Sequence, residues 1–273
     1  MAGRPGRASG RRLAALRPQN EAVSTYRDTG IVLRTQKLGE ADRIITLLTR
    51  RHGRIRAVAK GVRRTSSRIG ARLEPFAHVD VQCYSGRSLD IAQQIETIDA
   101  FGGKLSRDYA RWTAGQAMLE AAERFTENEH DPALAQFQLL LGGLRVLAET
   151  ERDPVMVLDA FLVRSLAIAG YAPSFSDCAG CGATGPHRFF TIPGGGASCA
   201  DCRPPACAAP GAETLSLLGA LLSGDWESAE TSAPRARREA SGLVAAYLQW
   251  HLERGLRSLR HVERDLPVPT QTA

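Results

Sequence analysis

The sequence has no long apolar run and few cysteines or aromatic residues. Nothing in its 273 residues approaches the ~20 consecutive apolar positions that a membrane-spanning helix requires, so we expect no membrane partner. Six cysteines are too few for a secreted domain held together by disulfides. The five arginines before residue 18 precede no apolar stretch, which excludes a typical secretory signal. These absences predict a soluble cytoplasmic protein.

A catalytic constellation is also missing from the sequence. The G-x-G-x-x-G match at 180–185 lies between cysteines, with no strand before it, and Gly103-Lys104 lacks the other residues of a phosphate-binding loop. No set of acid, base and nucleophile emerges elsewhere. We therefore expect a binding protein and not an enzyme, with an enzyme as the more distant alternative.

The charge of the chain is very uneven. Residues 1–72 contain 18 Lys+Arg and 4 Asp+Glu, a balance of +14, whereas the other 201 residues contain 17 and 25, a balance of −8. A positive field concentrated in this way predicts a polyanionic partner such as nucleic acid. A basic surface that only keeps the protein soluble is the alternative, although solubility does not require charge concentrated in one quarter of the chain.

Residues 1–24 form a basic segment rich in Gly, Ala, Pro and Arg that cannot bury a core, so we expect a disordered tail. Residues 25–101 show the alternation of strands. The predicted strands lie at 29–36, 43–50, 54–60, around 79–83, and 89–98, with a hairpin turn at Arg51-His52-Gly53. The second strand is apolar on both faces, as expected when both are covered. Five short strands predict a small closed β-barrel.

Cations cluster in this predicted barrel. Alternation in the third strand places Arg54, Arg56 and Lys60 on one outward face. We expect DNA contacts from eight residues: Arg34, Arg54, Arg56, Lys60, Arg63, Arg64, Arg68 and Arg72. Tyr26, Phe76 and Tyr84 are the only aromatic candidates for base stacking in this region, and a core position is the alternative for each.

Residues 102–273 change to a helical period and predict a helical bundle. Asp131-Pro132 and Asp153-Pro154 each place a capping acid before a proline and predict two helix starts. Further helices are expected at 215–222 and 235–256, after an insertion at about 176–208 that contains most of the cysteines.

Two CxxC pairs lie in this insertion. Cys178 and Cys181 are separated by 17 residues from Cys199 and Cys202, a spacing typical of a structural zinc ion with four thiolate ligands. A redox dithiol, a catalytic zinc site, or replacement of one ligand by His187 or Cys207 remain alternatives. Cys83 lies on an alternating strand and is expected to be a core residue.

The N-terminal motifs resemble those of the RecO family of bacterial recombination-repair proteins. The resemblance is carried by GEADR at 39–43, the following hairpin and AKGVRR at 59–64, and it extends from about Tyr26 through the CxxC pairs to YLQWHLERGLRSLR at 247–260.

The resemblance implies an α+β multidomain protein: an N-terminal oligonucleotide-binding (OB) β-barrel, then an α-helical bundle with a four-cysteine zinc site. It also implies binding of single- and double-stranded DNA, strand annealing, and loading of RecA with RecR on DNA coated with single-strand-binding protein. It further implies a role in the RecF pathway of recombination and a location in the bacterial cytoplasm, at the nucleoid. An RNA-binding OB module is the main alternative.

Overall fold

The N-terminal part of the chain is built of strands and the rest mainly of helices. The computed structural model describes residues 24–63, 70–252 and 255–263. The basic tail, except Ser24, and two of the expected DNA-contact residues, Arg64 and Arg68, lie outside the described residues.

The barrel strands are β1 (Thr25–Leu38), β2 (Asp42–Thr49), β3 (Gly53–Ala59), β4 (Ala77–Tyr84) and β5 (Asp90–Ala100). They close a barrel in the order β1-β2-β3-β5-β4. The closing contact is the parallel pairing of β3 with β5, while the other neighbours are antiparallel. The five predicted strands are therefore confirmed, although β1 begins four residues before its predicted start.

Apolar side chains of β2 lie on both faces of the barrel wall, as the sequence predicted. Ile45 and Leu47 belong to the cluster that fills the barrel. Leu48 belongs to a different cluster, which contains the cores of the helices. The outer face of β2 is therefore covered by helical residues.

The helices are α1 (Gly102–Leu105), α2 (Tyr109–Phe125), α3 (Leu134–Glu149), α4 (Pro154–Ile168), α5 (Ala212–Ser223), α6 (Trp226–Glu230) and α7 (Pro234–His251). Asp153 caps α4 as predicted, because its carboxylate accepts hydrogen bonds from the backbone N–H groups of Val155 and Met156. None of the described helices is long and apolar enough to cross a membrane.

Two predicted helix boundaries are wrong. The helix expected from Asp131-Pro132 begins at Leu134 after an Ala133 N-cap, because residues 129–131 instead run beside β3. The last long helix, expected to reach residue 256, ends at His251. A short 3-10 helix, Ser258–His261, follows and packs on α2.

Phe76 connects the barrel to the helices. Its side chain is fully buried, and its ring lies 4.8 Å from that of Trp112 on α2, centroid to centroid. Ile31 of β1 and Leu48 of β2 share the same apolar cluster with α2, α3 and α4. The barrel and the helices therefore share a continuous hydrophobic core.

The insertion between α4 and α5 carries a small hairpin, β6 (Phe189–Thr191) and β7 (Gly196–Ser198). Phe190 of β6 is buried and lies 6.0 Å from both Phe175 and Tyr247, measured between ring centroids. This contact fixes the cysteine-containing insertion to α7.

Candidate nucleic-acid interface and metal centre

One end of the barrel presents exposed cations from two adjacent connections. Lys60 and Arg63 follow β3 and are exposed. The backbone N–H of Arg63 donates to the Ala41 carbonyl at 2.9 Å, and its Nη1 donates to the Gly39 carbonyl at 3.0 Å. These bonds hold the segment after β3 against the turn between β1 and β2. We call Lys37, Arg43, Lys60 and Arg63 together the basic end of the barrel; Arg43 is half-buried, and Glu40 of the same turn is exposed.

The sequence reasoning missed Lys37 and Arg43. They are direct partners in the β1–β2 register, and Arg43 is in turn paired with Ala59 of β3, next to Lys60. Lys37 is exposed, whereas Arg43 forms an ion pair of 2.6 Å with Glu74. The sequence could have identified both residues, because a hairpin with its turn at 39–41 places residue 37 opposite residue 43.

Arg72 is exposed to solvent, but its guanidinium is hydrogen-bonded to the backbone of the barrel. Its Nη1 donates to the backbone carbonyl of Ile95 on β5 at 2.9 Å. The guanidinium thus connects the 3-10 turn Gly70–Leu73 to the barrel wall.

Three other expected DNA contacts lie on the outer face of the barrel but are paired with acidic residues of the helical half. Arg34 forms an ion pair of 2.8 Å with Glu123 at the end of α2. Arg56 pairs with Glu129 at 2.5 Å, and Arg54 lies 3.9 Å from both carboxylates. We call Arg34, Arg54 and Arg56 the arginine row; it is separate from the basic end of the barrel.

The three aromatic candidates for base stacking are buried or half-buried in the protein. Phe76 is a core residue. The Tyr26 hydroxyl donates to Asp90, and burial, followed by this hydrogen bond, raises the pKa of Tyr26. Tyr84 is half-buried on β4.

The structure brings the four CxxC cysteines together. The sulfur atoms of Cys178, Cys181, Cys199 and Cys202 all lie within 4.8 Å of one another, and the Cys181 and Cys199 sulfurs are 3.9 Å apart. Four sulfurs placed tetrahedrally about zinc at ~2.3 Å would be ~3.8 Å apart. The arrangement is therefore compatible with one zinc ion.

Backbone groups favour a thiolate at Cys178, whereas hydrogen bonds with the other cysteines raise the pKa of Cys202 to about 12. The Cys199 N–H donates to Cys178 Sγ at 3.4 Å. This bond, with weaker ones from Cys181 and Gly180, lowers the pKa of Cys178 to about 5. A Cβ at Gly180 would lie 3.1 Å from the Cys202 Cβ and 3.3 Å from its sulfur, so glycine leaves room for the second CxxC.

The two alternative ligands are not part of this cluster. A ring nitrogen of His187, Nε2, lies 2.8 Å from the Ala183 carbonyl, a hydrogen-bond distance. Cys207 lies in the same insertion outside the group of four. Cys83 is fully buried in the barrel, as predicted, and burial raises its pKa to about 12.

Two family models match the chain. The model described as Recombination protein O N terminal matches residues 23–101, which contain the barrel, and the model described as Recombination protein O C terminal matches residues 106–260.

Curated relatives match over nearly the whole chain. The DNA repair protein RecO of Streptomyces avermitilis is 64% identical over 248 residues, covering 89% of this chain and 100% of that protein. The proteins of the same name from Thermobifida fusca and Frankia casuarinae are 63% and 57% identical, with the same coverage. These matches define a protein of DNA repair and recombination. The chain belongs to the RecO family, which confirms the resemblance found in its motifs.

Proposed function

We propose that this chain is a DNA-binding mediator of recombinational repair in the RecF pathway. It would bind single- and double-stranded DNA, anneal complementary strands, and help load RecA on single-stranded DNA coated with single-strand-binding protein. Family membership supports the role in repair, and the observation that carries DNA binding is the basic end of the barrel.

The barrel supports this proposal through its topology. A five-stranded barrel in the order β1-β2-β3-β5-β4 fits the OB fold, whose ligand contacts include the loop between strands 1 and 2, and the basic end lies at this loop. We propose residues 25–101 as an OB domain, 102–273 as a helical domain with a zinc-binding insertion at about 176–208, and 1–24 as a basic tail.

Annealing by this surface needs no catalytic residue. Cations that contact phosphates release condensed counterions and reduce the repulsion between two strands, which raises their local concentration. We therefore propose a non-enzymatic role in the bacterial cytoplasm at the nucleoid, with RecR and single-strand-binding protein as partners. The proposed contacts are Lys60 and Arg63, joined by Lys37 and Arg43, with Arg64, Arg68 and Arg72 as further contacts.

We also propose that the cysteine cluster holds one structural zinc ion. The ion would supply four bonds that connect the two CxxC turns. A fixed first CxxC turn would in turn fix the position of β6, which follows it in the chain, and Phe190 of β6 packs on α7.

The direct test is annealing of complementary oligonucleotides coated with single-strand-binding protein. The wild-type chain should accelerate duplex formation, and Lys60→Glu/Arg63→Glu should reduce both annealing and DNA affinity by at least tenfold. The matched control is Arg107→Glu/Arg238→Glu, which makes the same change in net charge at two exposed residues of the helical half. Equal loss in both variants, or none in the first, would refute the assigned surface. Preferential binding of matched RNA would favour the RNA-binding alternative.

A further inference from the structure

The face that an OB barrel offers to its ligand is covered in this protein. OB folds bind nucleic acid on strands 2 and 3. Here Leu48 of β2 is fully buried in the apolar cluster that contains the helical core, and Thr46 on the same face is 2% exposed. Arg34 of β1 and Arg56 of β3 are both register partners of Thr46, so the arginine row lies across this face.

The helical half places carboxylates where phosphates would be expected. Glu123 accepts from Arg34 through both of its oxygens, from Nη2 at 2.8 Å and from Nε at 3.3 Å. Glu129 accepts from Arg56 Nε. A guanidinium binds carboxylate and phosphate with the same forked donors, so these two glutamates use the donors that a phosphate would use.

These pairs are accessible from solvent. The side chains of Arg34 and Arg56 are each 42% exposed. A cleft of about 900 Å³ opens beside Arg34 and Arg54, and its charged lining further comprises Arg124 and Arg257 together with Glu120, Glu123 and Glu127. Arg54 is less accessible than its two neighbours: its side chain is 16% exposed, its Nε is buried, and its Nη2 donates to the Glu127 carbonyl. The glutamates of both pairs are only partly buried, with the Glu123 and Glu129 side chains 20% and 28% exposed, so a polyanion can compete for the guanidiniums.

We propose that the arginine row is a second phosphate-binding surface that Glu123 and Glu129 occupy until a nucleic-acid strand displaces them. The inference rests on the proposed function, because it assumes that DNA first binds at the basic end of the barrel. The two glutamates then act as an internal competitor that limits the affinity of the resting protein for DNA.

The test is the DNA affinity of Glu123→Gln/Glu129→Gln, measured by fluorescence anisotropy with an oligo(dT) strand over a series of NaCl concentrations. Gln keeps the size of Glu but is neutral, and it offers one acceptor oxygen where Glu123 uses two, so it weakens the hold on the guanidinium. Affinity should rise about tenfold at low salt. The log–log salt dependence should become steeper by ~0.7 for each added phosphate contact on a single strand.

The matched control is Glu149→Gln/Glu230→Gln. These helical-half glutamates are also ion-paired, with Lys104 at 3.4 Å and Arg152 at 2.6 Å, and the change in net charge is identical. An equal gain in both double variants would mean that only net charge matters, and it would overturn the proposal. An unchanged affinity of Glu123→Gln/Glu129→Gln would overturn it as well.

A second arm uses the arginines themselves. Arg34→Gln/Arg56→Gln should change the affinity of the wild type less than twofold, but it should abolish the gain in the Glu123→Gln/Glu129→Gln background. A similar loss in both backgrounds would show that the row contacts DNA without competition and would contradict the inference. If the double Glu variant unfolds, as judged by its melting curve, Glu129→Gln alone releases Arg56 and should give a smaller gain in the same direction.

The outcomes separate the two proposals. If binding is still lost in Lys60→Glu/Arg63→Glu while the glutamate variants behave as wild type, only the arginine row is refuted. If the wild type binds no DNA at low salt, the proposed function itself fails.

Discussion

Gly53 lies directly against the backbone of Asp131: a Cβ at Gly53 would come within 1.7 Å of the Asp131 carbonyl oxygen. Residues 129–131 run beside β3 at this point. Next to the contact, the His130 N–H donates a hydrogen bond of 2.9 Å to the Arg54 carbonyl. Glycine at the start of β3 therefore permits the connection between α2 and α3 to reach the barrel.

Gly53→Ala should destabilise the protein by ~3 kcal/mol, since it combines a left-handed φ of 63° with a clash against backbone. Gly39→Ala is the matched control: Gly39 also has a positive φ, of 54°, but nothing lies within 4 Å of its added Cβ, so ~1 kcal/mol is expected. Urea unfolding of both variants measures the difference. Equal costs would show that the approach of Asp131 contributes nothing.

Loss of the cysteine cluster should destabilise the helical half. We expect the purified chain to contain one zinc ion, and Cys199→Ser to lose it together with ~3 kcal/mol, which lowers the Tm by roughly 6–12 °C. Cys207→Ser makes the same chemical change in the same insertion and should retain both the metal and the Tm. Metal analysis and thermal melting decide the point; an unchanged Tm after verified metal loss contradicts a structural ion.

Glu239 should contribute to acid sensitivity. Hydrogen bonds from the Gly211 N–H and the Thr214 hydroxyl, and more weakly from Arg235, lower the pKa of Glu239 to about 2. Because the folded pKa is below the unfolded one, the stabilisation is complete above ~pH 4.5 and is lost as the pH falls towards 2. Glu239→Gln should therefore cost ~1–2 kcal/mol at pH 7 and progressively less in acid.

Denaturant unfolding at several pH values tests this dependence. Glu151→Gln serves as the control, because the Glu151 side chain is fully exposed and its loss should be nearly neutral at every pH. A Glu239→Gln cost that does not vary with pH would contradict the assigned hydrogen bonds.

Glu120 should hold the C-terminal segment on α2. Its carboxylate accepts from the backbone N–H groups of Arg257 and Ser258, at 2.9 and 2.8 Å, and from the Ser258 hydroxyl. Glu120→Ala should release this segment locally, so trypsin should cleave after Arg257 and Arg260 several-fold faster while global unfolding changes little. Ser258→Ala removes one bond of the three and should have a smaller effect. Unchanged cleavage in Glu120→Ala would show that other contacts hold the segment.

Local patterns in the sequence were sufficient to predict much of this fold. Strand alternation located the barrel, and CxxC spacing located the cluster, because both depend on residues close together in the chain. The apolar residues on both faces of β2 also indicated that something covers the barrel. What covers it was not predictable, since periodicity does not specify which helix packs on which face.

Counting charges along the sequence could not show that the arginine row is paired with glutamates of the helical half. Arg34 and Glu123 are 89 residues apart in the sequence, and only the fold brings them together. Asp131-Pro132 failed as a helix start for a related reason: a capping pattern is local, whereas the backbone there is held by a distant strand. Tertiary contacts decided both cases.

The shared core of Ile31, Leu48 and Phe76 with the helices has a consequence for any attempt to divide the molecule. A fragment that stops near residue 101 would expose these apolar side chains to water, and we expect it to aggregate or bind its missing half. The interval between the two family models, residues 102–105, therefore lies within one continuous hydrophobic core, and we expect the two parts to unfold together.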